Sequence, residues 1–127
     1  MASGWMHAAA VALGGAVGSV LRWQVGHWLN PLALPFALGT LAVNCVGGLL
    51  IGFSLVAFEH QPNDTLRLLL VTGGLGGLTT FSAFSAESLG LLVGGRPGLA
   101  LVHTLAHVLG ALACAALGWL AGRWLWA

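Results

Sequence analysis

Apolar residues run almost unbroken through this chain, and the polar ones collect at a few points between the runs. A helix crossing a hydrocarbon core of roughly 30 Å needs about 20 largely apolar residues. Four stretches meet that length: Gly4 to Trp28, Leu34 to Phe58, Leu66 to Gly95 and Pro97 to Trp124. Between them stand Asn30, Pro31 and Pro35, the polar run Glu59 to Asp64, and Gly94-Gly95-Arg96-Pro97-Gly98, all of which punctuate helices. The pattern predicts an all-α integral membrane protein, a single four-helix transmembrane domain over residues 1–127. Trp5, Trp23, Trp28, Trp119, Trp124 and Trp126 fall near the span ends, where an aromatic belt meets the lipid headgroups.

The third run carries an interruption. Gly73, Gly74, Gly76 and Gly77 each disfavour helix by about 1 kcal/mol relative to alanine, and Thr79-Thr80 adds β-branched stiffness. The third helix is therefore expected to break near Gly76–Thr79. Carbonyls freed by such a break cannot be satisfied by lipid and must face protein or an ion. If two copies of the break meet on a twofold axis, their carbonyls form a ring of hard oxygen ligands suited to a small cation such as Na⁺. Beyond the break, Phe81, Phe84, Ser85 and Ser88 fall within about a 100° arc of helix. Ring edges are electropositive and hydroxyls donate, so this face can accompany a small anion. It reads equally as a packed phenylalanine pair with serines bonding back to the i−4 carbonyl.

Composition sharpens this picture. The chain is 58% hydrophobic and 6% charged, whereas a soluble domain is about one quarter charged. A net charge of +1 argues against nucleic acid as a partner. Cys45 and Cys114 lie inside apolar runs and give neither a disulfide framework nor metal spacing. The first residues lack the charged region and cleavage site of a signal peptide, which predicts that they are retained. The few charged residues offer no paired carboxylates or activated nucleophile, so an enzyme is disfavoured.

Four spans place both termini on one side, with Arg67 and Arg123 beside them and Arg22 and Arg96 opposite. Orientation normally follows an excess of Lys and Arg in cytoplasmic loops, and here the sides tie. The tie reads as insertion both ways with antiparallel pairing, or as a topology set by one arginine near the first span. Small residues recur every four positions at Gly14 and Gly18, at Thr40, Asn44, Gly48 and Gly52, and from Ala106 through Gly110, Cys114 and Gly118 to Gly122. Such stripes predict closely packed helix faces. Asn44, about 15 Å into its helix, stands near the midplane, where a primary amide needs partners. It is either an interhelical hydrogen bond or a donor facing an ion. His103 and His107 share metal spacing, but the pair is expected to lack carboxylate company, and the ordinary reading of each is a helix-to-helix hydrogen bond. Glu87, on the Thr80 face, is expected at a pore mouth or at the polar end of its span.

The run GGLGGLTTFSAFSAE at 73–87, Leu21-Arg22-Trp23 in the first span and GTLAVNCVGG at 39–48 in the second together resemble the Fluc/CrcB fluoride channels across all four spans. The resemblance implies an antiparallel, dual-topology homodimer in the cell membrane with two anion pores. It places Asn44, Phe81, Ser82, Phe84 and Ser85 along the anion pathway and Arg22 at the aqueous vestibule. It assigns a structural Na⁺ to the backbone carbonyls of Gly76 and Thr79 from both subunits. Two features depart from the family pattern: Ala83 stands where a hydroxyl is usual, and His103 and His107 replace a tyrosine and a serine. The expected function is passive export of cytoplasmic fluoride, which lowers its toxicity. The competing reading is a four-span proton-coupled multidrug antiporter, which needs a membrane-embedded carboxylate; Glu87 is the only acid within the expected spans. A non-transporting assembly subunit would leave the polar stretch unexplained.

Overall fold

A computed structural model describes residues 3–32 and 35–127. It contains four helical segments long and apolar enough to span a membrane, Gly4–Leu32, Leu38–His60, Asp64–Val93 and Pro97–Leu125. No strand occurs among the described residues. The first span is helix α1 (Gly4–Leu29), capped by Ser3 accepting from the Met6 amide, and it runs into a 3₁₀ turn at Asn30–Leu32. The second is α2 (Leu38–His60); Leu34, its expected first residue, lies outside the described residues. The third is built in pieces: α3 (Asp64–Arg67), a π-helical stretch at Leu68–Leu75, α4 (Gly76–Leu78) and, after a gap, α5 (Phe81–Val93). The turn to the last span uses Gly95 at φ +75°, and Pro97 then opens α6 (Pro97–Leu125) at a first-turn position where its missing N–H costs nothing.

The helices pair out of sequence. Helix α1 packs along the π-helical stretch and α4, while α2 packs along α6. Glycine sets both distances. A Cβ on Gly77 would stand 2.6 Å from the Gly15 carbonyl oxygen, and one on Gly48 would stand 2.6 Å from the Ala111 carbonyl oxygen. Backbone thus lies against backbone in both seams, as the small-residue stripes require. Large apolar side chains such as Leu13, Leu105, Leu112 and Val93 point outward, which suits a solvent of lipid tails. Few large side chains are fully enclosed, and one of them is His103.

The third span does break, and its glycines are not where it breaks. Gly73, Gly74, Gly76 and Gly77 remain helical, and the backbone becomes extended at Thr79 (φ −86°, ψ 157°) and Thr80 (φ −150°, ψ 116°). Gly73 and Gly77 serve close packing against α1, since any Cβ there would meet its carbonyls. The extended geometry falls to the two β-branched residues, which favour it. Just ahead of α4, the π-helical turns widen the backbone, a feature that recurs at functional sites.

Candidate functional site

The two-residue gap exposes backbone groups at the depth of the apolar core, and side chains serve it and the turns on either side. Asn44 on α2 accepts from the Thr80 amide at 2.8 Å through Oδ1 and donates to the Thr80 carbonyl at 3.0 Å through Nδ2. The same Nδ2 reaches His107 Nδ1 on α6 at 3.1 Å. Arg22 on α1 donates from Nε to the Gly77 carbonyl at 2.9 Å. Thr80 caps the restarting helix, its Oγ1 accepting from the Ala83 amide. The midspan asparagine is thus an interhelical link that completes the break.

Two backbone donors are diverted by these contacts. In an unbroken helix the Thr80 amide would serve the Gly76 carbonyl and the Ala83 amide the Thr79 carbonyl. They serve Asn44 Oδ1 and Thr80 Oγ1 instead. The Gly76 and Thr79 carbonyls therefore each lose the donor that a continuous helix supplies.

A cavity of about 510 Å³ opens beside the break, with Asn44, Gly76, Thr79, Thr80, Phe81, Phe84 and His107 in its wall. Phe81 is 78% exposed, whereas Phe84 is buried, and their rings meet edge to face at 5.3 Å. One subunit consequently offers this wall with a large aromatic ring standing free of it. A second cavity of about 340 Å³ holds Arg22, Thr40, Thr80, Ala83 and Glu87. Of the other expected pathway residues, Ser85 donates back to the Phe81 carbonyl at 2.8 Å. Ser82 shares a 3.2 Å hydroxyl contact with Thr80. Both line neither cavity.

A polar cluster lies behind the phenylalanines, and its wiring was largely hidden in the sequence. The Thr40 hydroxyl donates to Glu87 Oε2 at 2.6 Å, and Glu87 Oε1 stands 3.3 Å from His103 Nε2. His103 is fully buried; its Nδ1 lies 2.7 Å from Ser88 Oγ, which also meets Thr104 Oγ1 at 3.2 Å. The His107 ring follows at 4.5 Å from that of His103; Phe84 stacks on His103 and lies tilted against His107. Both histidines do make helix-to-helix hydrogen bonds. The expectation that the pair lacks a carboxylate is corrected: Glu87 supplies one from α5, and one ligand atom from each of Glu87, His103 and His107 lies within 4.8 Å of the others. Those residue types at that spacing could hold a metal ion. Thr40 was legible only as a small residue in a packing stripe, because nothing in its own helix points to an acid 47 positions later.

Comparison with known proteins covers nearly the whole chain. A family model described as CrcB-like protein, camphor resistance (CrcB), matches residues 9–119. A curated relative from Aromatoleum aromaticum named fluoride-specific ion channel FluC is 49% identical over 114 residues, 88% of this chain and 87% of its own. Relatives of the same name from Chromohalobacter salexigens and Cupriavidus pinatubonensis are 46% and 50% identical, over 90% and 86% of this chain and 88% of each relative.

Proposed function

This chain belongs to the CrcB family, and from that premise we propose that it is a fluoride-specific ion channel, a multi-pass membrane protein rather than an enzyme. The observation that carries this reading is near-half identity, over nearly the full length, to relatives that bear that name. The geometry supports it independently, because a polar break with donors and ring edges at membrane depth has no use in an inert bundle. Hydrogen fluoride crosses bilayers neutral and ionises inside, so a passive exit for the anion lets the membrane potential expel it.

The pathway runs past Asn44, Phe81, Ser82, Phe84 and Ser85, with Arg22 drawing anions toward its mouth. Two copies pair antiparallel, so that the exposed Phe81 ring of one subunit completes a wall with the other. Na⁺ sits where the two breaks meet, held by the Gly76 and Thr79 carbonyls, whose helical donors are both diverted. Hard oxygen ligands of this kind suit it, and its role is structural. The antiporter reading finds no support: Glu87, the carboxylate such a carrier would keep free for its substrate, is already engaged by Thr40 and His103.

Purified protein in liposomes, loaded with fluoride or chloride and followed with ion-selective electrodes, tests the function. Fluoride should be released and chloride retained; equal release of the two would overturn the assignment.

A further inference from the structure

The seam between α2 and α6 brings one more pair of side chains together. Gly48 meets the Ala111 carbonyl, and Gly52, one turn on, meets that of Ala115, so the two helices run parallel. A Cβ on Gly118 would stand 2.9 Å from the Leu49 carbonyl carbon. One turn before that contact on each helix, and so on the same faces, stand Cys114 and Cys45. A Cβ on Gly110, a turn earlier again on α6, would lie 3.2 Å from Cys45 Sγ. The Cys45 side chain is therefore laid against α6 beside Cys114, and the two thiols are within hydrogen-bonding reach. Both are free and half-buried.

Far apart in the sequence, the cysteines have no metal spacing there; the seam supplies it. Among the described residues, no His, Asp or Glu makes a three-ligand group with either cysteine. Zn²⁺, which takes four ligands, is therefore poorly served. Thiolates are soft ligands, and the soft divalent ion that accepts two of them in line is Hg²⁺. Two thiolates and one divalent ion sum to zero charge, so the product carries no net charge at membrane depth, where charge is expensive. A monovalent ion would leave one negative charge over.

We propose that Cys45 and Cys114 form a two-coordinate site for a thiophilic divalent ion of the mercuric class, and that filling it clamps α2 to α6 and stops the channel. Mercuric chloride is neutral and enters lipid. Two S–H bonds break and two S–Hg bonds form, while two protons and two chlorides leave to water with no change of oxidation state. Cys45 follows Asn44, whose amide holds both backbone groups of Thr80, so a bridge there pulls on the link that completes the break. The effect on transport rests on the channel reading, whereas the binding does not.

Full-length protein in lipid nanodiscs, given one equivalent of mercuric chloride, tests the site. X-ray absorption at the mercury edge should show two sulfurs in line and no chloride; one sulfur with one chloride overturns the proposal. This spectrum is read on wild type, so it decides the matter even where a variant fails to assemble. Cys45→Ala and Cys114→Ala, each left with a single thiol, should lose mercury to β-mercaptoethanol at roughly a hundredfold lower concentration than wild type, because only the pair closes its second bond within the molecule. Equal retention by either variant overturns the proposal, as does Zn²⁺ held as firmly as mercury. In liposomes, mercuric chloride should stop fluoride release by wild type and leave the variant lacking both cysteines unaffected. Release that continues with the site filled overturns the clamp. A wild type that releases no fluoride before mercury is added removes the channel reading instead, and the spectrum still stands.

Discussion

Asn44 satisfies both backbone groups of Thr80 and orients His107, so three helices depend on one amide. Truncating it to alanine would leave an amide and a carbonyl without partners at membrane depth, at about 1–3 kcal/mol each. We expect Asn44→Ala to lower the thermal midpoint of the detergent-purified protein and to slow fluoride release in liposomes, and an unchanged midpoint would show that water replaces the lost contacts. Glu87→Gln is expected to be milder, because a side-chain amide keeps the shape of the carboxylate, its oxygen accepting from Thr40 and its nitrogen able to donate to the His103 ring. Its flux should stay within a few-fold of wild type, and a complete loss would mean that the negative charge itself is required. The sequence marked Asn44, Glu87 and both histidines as polar groups out of place in lipid. It could not reveal their wiring, because Thr40 to Glu87 and Asn44 to His107 are contacts between spans whose rotations no local pattern fixes.

Among the elements, the third span departs most from its sequence pattern. Glycine-rich runs read as weak helix, yet here glycines hold the helix against α1 and threonines open it. Propensity measured one residue at a time was overridden by the close approach of a neighbouring backbone. The glycines are therefore unequal. A methyl on Gly77 would meet the Gly15 carbonyl oxygen at 2.6 Å, while one on Gly76 has only the Val71 oxygen nearby, at 3.8 Å. Gly77→Ala should cost about 1–3 kcal/mol of stability through overpacking. Gly76→Ala should leave the subunit's own packing intact. Melting curves of the two variants compared with wild type check this, and equal losses would contradict the seam geometry. The four-span organisation, by contrast, was legible throughout, since lipid enforces apolar runs of helical length and leaves little else to choose.

On the scale of the whole molecule, the proposed pairing of two copies would use the balanced arginines and the exposed Phe81 ring. If the copies run antiparallel, moving one positive charge should upset the balance. Replacing Arg123 and adding an arginine in the Glu59–Asp64 connector keeps that side's count, whereas placing it near Arg96 tips the tie. The second variant should insert in one orientation by cysteine-accessibility mapping and lose fluoride release unless an oppositely biased copy is co-expressed. Full release from a single fixed orientation would contradict antiparallel pairing.

The out-of-order pairing of the helices also dictates a timetable for biosynthesis. As the chain leaves the ribosome, α1 lacks its main partner until the glycines of the third span arrive, and α2 lacks its own until α6 is complete. Asn44 enters the membrane about 60 residues ahead of His107, and ribosomes add roughly 5–20 residues per second. For several seconds its amide must be held by the insertion machinery or by water. A nascent chain halted before residue 100 has every polar group of the break in place except the one that ends the Asn44 chain.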